Sequence, residues 1–235
     1  MAEEVVGQGP LRAGSPLRTP RAAAVAGIIF SVLLISALVL LRVSVPAHPA
    51  VPGAWLTDSG RRATVAIALN LIPFAGIAFL WFVGVLRDRI GQREDRFFAT
   101  VFLGSGLLFV AMLFAAAAFA GGLLVNAAAG SGTAPGPDTL ATGREVTSLL
   151  LRVYAMRMAA VFTMSTATIT LRTRLIPRWI GILGIAVAVV LLVTVAVTPW
   201  VELLFPAWIL LLSVDILRTG LKRSRDAAAT ATGTA

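Results

Sequence analysis

VTSLLLRVYAMRMAAVFTMSTATITL, residues 146–171, is the stretch on which the fold turns. About 20 apolar residues rising 1.5 Å each cover a bilayer core of about 30 Å, so the stretch is long enough to cross a membrane. It nevertheless carries Arg152 and Arg157, and an arginine near the middle of a membrane helix costs about 2.5 to 3.5 kcal/mol. Its neighbours decide the matter, because Lys and Arg in short loops gather on the cytoplasmic side. If the stretch crosses, one side of the membrane holds Arg12, Arg18 and Arg21, then Arg87, Arg89, Arg93 and Arg96, then Arg172, Arg174 and Arg178, then Arg218, Lys222, Arg223 and Arg225. The other side holds only Arg42, Arg61, Arg62 and Arg144. Were it not to cross, both intramembrane arginines and everything basic after them would move to the poorer side and the bias would invert. A crossing is therefore expected.

Working outward, five further apolar runs have spanning length: 22–41, 64–86, 97–124, 179–198 and 200–217. The first is uncharged between Arg21 and Arg42. It exceeds the apolar run of about 7 to 15 residues typical of a cleaved signal peptide, so it reads as a retained anchor. The expectation is an all-α bundle of six transmembrane helices over 21–218, with both termini cytoplasmic. Indole rings favour the headgroup level; Trp55 and Trp200 fall at the outer boundary, Trp81 and Trp179 near the inner one, and Trp208 about midway along the last span. The tails, 1–20 and 219–235, read as disordered, and the loop 130–145 as a flexible Gly/Pro connection.

Composition agrees. Of 235 residues 58% are hydrophobic and 13% charged, where a soluble domain has about 25% charged; mean hydropathy is +0.90. The net charge of +9 needs no nucleic-acid partner, since most of the basic residues serve as inner-face anchors. With no cysteine and His48 the sole histidine, thiolate chemistry, disulfides, Cys zinc sites and multi-His metal sites are excluded. Gly104-Ser105-Gly106 resembles the serine loop of rhomboid-type intramembrane proteases, but their base is an embedded histidine, which this chain does not place in a span. No metalloprotease, P-loop or dinucleotide motif is present, and the only lysine, Lys222, lies in a tail. Neither catalysis nor a cofactor is expected. The arginine-dominated, Ala- and Gly-rich composition points to a bacterium with a GC-rich genome, hence to a bacterial plasma membrane.

Arg152 and Arg157 are the anomaly. With the helix starting near Val146 they lie about 9 and about 16 Å below the outer boundary. Glu202, Glu145 and Asn70 fall near the same depth, with Tyr154 close in sequence. One reading is a polar centre of Arg152, Arg157, Glu202 and Asn70 that takes an anionic solute or a lipid headgroup. The other, which the near balance of arginines and carboxylates favours, is an internal Arg–Glu clamp. Thr163, Ser165, Thr166, Thr168 and Thr170 are expected to bond back to their own helix. Asp215 is expected to pair at the membrane surface with Arg218. Gly104, Gly106, Gly121, Gly122, Gly181 and Gly184 are expected to allow close helix packing.

NLIPFAGIAFLWFVGVLRDRIGQREDRFFATVFLGSGLLFVAMLF (70–114), RVYAMRMAAVFTMSTATI (152–169), LIPRWIGILG (175–184) and WVELLFPAWILLLSVDIL (200–217) resemble a group of uncharacterised actinobacterial integral membrane proteins. The resemblance implies a polytopic membrane fold and carries no reaction, ligand or site. The function expected is that of a non-enzymatic integral membrane protein whose partner is the lipid bilayer. The alternative is a small permease or exporter using Arg152 and Arg157, with a homo-oligomer or a place in a larger membrane complex as further options.

Overall fold

The structure, a computed structural model, describes residues 20–45, 56, 58–90, 96–128, 136–173, 177–194 and 200–232. The N-terminal tail, Trp55 and most of the proline-rich stretch before it lie outside the described residues. Helix is the dominant state. The helices are α1 (Pro20–Ser44), α2 (Ser59–Ile90), α3 (Arg96–Ala128), α4 (Pro137–Ser148), α5 (Met156–Thr173), α6 (Arg178–Thr194) and α7 (Leu204–Thr232). A π-helical segment, Leu149–Ala155, joins α4 to α5 without a break, and a 3-10 turn, Val201–Leu203, leads into α7.

Among the described residues, four helical stretches are long and apolar enough to cross a membrane: Ala22–Ser44, Ser59–Arg87, Ala99–Asn126 and Asp138–Arg172; a shorter apolar helix covers Arg178–Val193. Large apolar side chains line the outside of the bundle as well as its core. Ile29, Ile67, Phe74, Trp81, Leu107, Phe119, Ile182 and Val193 are all exposed, a surface that water would not tolerate and hydrocarbon would. The chain is thus a helical membrane protein by its long apolar helices and its apolar exterior.

The doubtful 146–171 stretch is helical throughout, but its boundary differs. The helix begins at Pro137, inside the stretch 130–145 that reads as a flexible loop, because Pro at the first turn is pre-set for helix and Asp138 in that turn complements the helix dipole. At the other end α7 runs past Leu217 to Thr232. The stretch from 219, expected to be disordered, continues it: its Leu, Lys, Arg and Ala residues are good helix formers and an existing helix extends at little cost.

The helices form a ring in the order α1, α2, α3, α5, α6, α7, with α7 returning to α1 and α4 stacked on the end of α3. Its centre is aromatic. Phe30, Phe79, Phe109, Phe162 and Phe205, one from each of α1, α2, α3, α5 and α7, are fully buried and meet with ring centroids 4.7 to 6.2 Å apart. Mostly tilted or edge-on pairs of this kind add to dispersion packing, which is what holds helices together where lipid is as apolar as the core.

Close approach uses glycine at particular places. A Cβ on Gly184 would lie 2.7 Å from the Trp208 ring, which is itself held by its Nε1–H donating to the Ile180 carbonyl at 3.1 Å. Gly27 lies against the Ser213 hydroxyl and the Phe82 ring. Gly106 and Gly181 likewise pack on Phe162 and Leu171. Gly104, Gly121 and Gly122, expected to do the same, have open space where a Cβ would stand: small size permits packing, but only on the face turned inward.

Candidate functional site

At the end of the bundle where α1 finishes and α7 begins, one carboxylate gathers two guanidinium groups. Arg42, in the last turn of α1, donates from Nη2 to Glu202 Oε1 at 2.8 Å. Arg152 Nη2 stands 3.6 Å from the same oxygen. The side chains are 18%, 11% and 33% exposed for Arg42, Glu202 and Arg152, so the Arg42–Glu202 pair is largely shielded and Arg152 sits at its open edge. Three elements meet there: the C-terminus of α1, the 3-10 turn before α7 and the π-helical segment.

Each is positioned by local chemistry. A basic residue ending α1 suits the negative pole of the helix. Glu202 precedes α7, where its charge faces the positive pole. The π segment holds Arg152 at its centre; such insertions are rare and re-aim side chains locally.

Of the expected polar centre, Arg152 and Glu202 come together, whereas Arg157 and Asn70 do not join them. Arg157 is exposed on the outer surface of α5 and, among the described residues, makes no hydrogen bond or ion pair. Arg152 lies in the π-helical segment and turns to Glu202, while Arg157 in α5 is exposed, so the two guanidiniums serve different surroundings. Asn70 is exposed on α2 and donates from Nδ2 to its own helix at Ala66 O, 2.8 Å. Glu145 and Tyr154 are exposed too. The contact between Glu202 and Arg152 also shows that Arg152 reaches the level where α1 ends, rather than lying deep below the boundary.

Arg42 is the residue that sequence reasoning missed as part of the site. It bounds the first apolar run just as Glu202 opens the last, so the two share a boundary, a signal that was open to use. The α5 hydroxyls behave as expected: Thr163, Ser165, Thr166 and Thr168 donate to carbonyls four residues back, and Thr170 to the one three back, at 2.8 to 2.9 Å. Their donors are thus satisfied within the helix. Asp215, expected to pair with Arg218, forms no ion pair with it within 4 Å, although both are among the described residues. Among the described residues no three His, Cys, Asp or Glu side chains gather to hold a metal ion.

Chemically the cluster offers one carboxylate shared by two cations, a surplus of positive charge among the described residues. Comparison with protein-family models, with curated proteins and with solved structures finds no match for this chain.

Proposed function

We propose that the chain is a six-span bacterial plasma-membrane protein without catalytic activity, with both termini cytoplasmic, and that Arg42, Glu202 and Arg152 form an interhelical lock. What carries the lock is the shared Glu202 oxygen, 2.8 Å from Arg42 and 3.6 Å from Arg152. It ties the first helix to the last and both to the middle of the longest. The buried aromatic centre supports the same reading, since rings from five helices pack against one another there. The surplus positive charge of the cluster supports a second reading, a small permease or exporter that binds an anion at Arg152. Arg157, on a different face, would not share that site.

Two measurements test this. Topology reporters fused after Asp138 and after Pro177 are expected on opposite sides of the membrane, the second sharing the side of the C-terminus; equal signals would refute the crossing. A double-mutant cycle of Arg42→Gln and Glu202→Gln, read by thermal unfolding in detergent, is expected to give a coupling of about 1 to 2 kcal/mol. Additive effects would remove the lock. Added inorganic phosphate that stabilises the wild type and not Arg152→Gln would favour the permease instead.

A further inference from the structure

The residue left over is Arg157. On α5 the outward surface follows the helical repeat through Tyr154, Arg157, Val161, Met164, Thr168 and Arg172, all partly or fully exposed, while Ala155, Met156, Ala159, Ala160, Phe162 and Thr163 on the other side are buried. This stripe is apolar or weakly polar between two arginines 15 residues apart, about 22 Å along the axis. That is shorter than a bilayer core of about 30 Å. A guanidinium on a long stem closes such a gap by reaching along the helix to the headgroups. Tyr154, one turn above Arg157 and 55% exposed, is of the kind that settles at the headgroup level, so it marks where that reach ends. An exposed arginine at this depth with no acceptor among the described residues needs an anion, and its own helix offers none: no carboxylate occurs on α5 or in the π-helical segment.

We propose that Tyr154 and Arg157 form a surface site for the phosphate of an anionic phospholipid in the leaflet at the Glu202 end of the bundle. The site rests on the reading that the helix crosses a membrane, and it is separate from the lock, which faces inward. The bound phosphate supplies Arg157 with the charge-assisted hydrogen bonds that the protein does not, and the tyrosine hydroxyl caps the same headgroup. Arg157 then sets the depth of the longest helix.

The test reconstitutes the full-length chain into nanodiscs of phosphatidylcholine with a minor share of phosphatidylglycerol and counts phosphatidylglycerol retained after release, by native mass spectrometry. Arg157→Gln is expected to lower retention about fivefold, the factor that corresponds to one basic residue at an anionic surface, while Arg157→Lys keeps most of it. Arg87→Gln, exposed at the other end of the bundle, removes the same charge and is expected to leave that retention largely intact. Equal retention by wild type and Arg157→Gln overturns the site, as does an equal loss in Arg87→Gln, which would mean diffuse attraction. A change from dimer to monomer in Arg157→Gln without lipid loss overturns it in favour of a second copy. Recovery of each variant from the membrane fraction, scored first, reports separately on the spanning reading.

Discussion

Replacing Glu202 by leucine is expected to destabilise the protein by about 3 kcal/mol, the lower end of the cost of removing one partner of a buried ion pair. The cost is set by the charges that remain. Arg42 keeps its charge in a largely shielded position and loses the acceptor at 2.8 Å, while Arg152 loses the carboxylate that offset its repulsion with Arg42. Arg152→Gln is expected to cost under about 1 kcal/mol, because its side chain is one-third exposed and its contact longer. Unfolding in detergent, followed by the loss of helical signal against temperature, distinguishes the two. Comparable losses in both variants would mean that the carboxylate belongs to Arg152 as much as to Arg42, contrary to the distances.

Phe79→Ala is expected to be as damaging. Phe79 touches Phe30, Phe82, Phe109, Phe162 and Phe205 with centroids between 4.7 and 6.3 Å, so its removal opens a void where four other helices converge. In water-soluble cores Phe→Ala costs about 3 to 5 kcal/mol. In a membrane the contribution from leaving water shrinks while the lost contacts remain, so about 3 kcal/mol is expected. Phe119→Ala, on the exposed side of α3, should stay within about 0.5 kcal/mol. If the two variants unfold alike, the aromatic centre is not what holds the ring of helices.

The long apolar helices were legible from apolar length, and so was the presence of 146–171 within one of them, because apolar length is a property of whole segments. Facing was not. When a helix is apolar all round, the contrast that reveals a buried side in soluble proteins disappears, and Asn70 looked as able to point inward as outward. A finer signal was present: Ala68, Ile72, Ala75, Phe79, Phe82 and Leu86 repeat at helical spacing and are all buried, while Asn70 falls between them. The separation of Arg152 from Arg157 was not legible, since the π-helical segment between Leu149 and Ala155 changes the winding on which any spacing argument depends. Of the candidate site, the Arg–Glu pairing was foreseeable and its principal cation was not, since Arg42 reads as an ordinary end-of-helix anchor until the start of α7 is brought beside it. The early start at Pro137 stayed hidden because Gly, Thr and charge in that stretch resemble a loop, and helical continuity with a long apolar segment outweighs their local preferences.

One consequence of that continuity is mechanical. From Asp138 to Arg172 the helix runs 35 residues, about 52 Å, well beyond the thickness of a hydrocarbon core. Its polar first third, α4, is braced by α3, where Gly143 lies against Leu123. On the proposed crossing, α4 extends beyond the membrane as a polar arm, and the π-helical segment carrying Arg152 joins it to the apolar part. A load on that arm would be shared between its bracing contact with α3 and the π-helical segment, where the backbone winding is loosened.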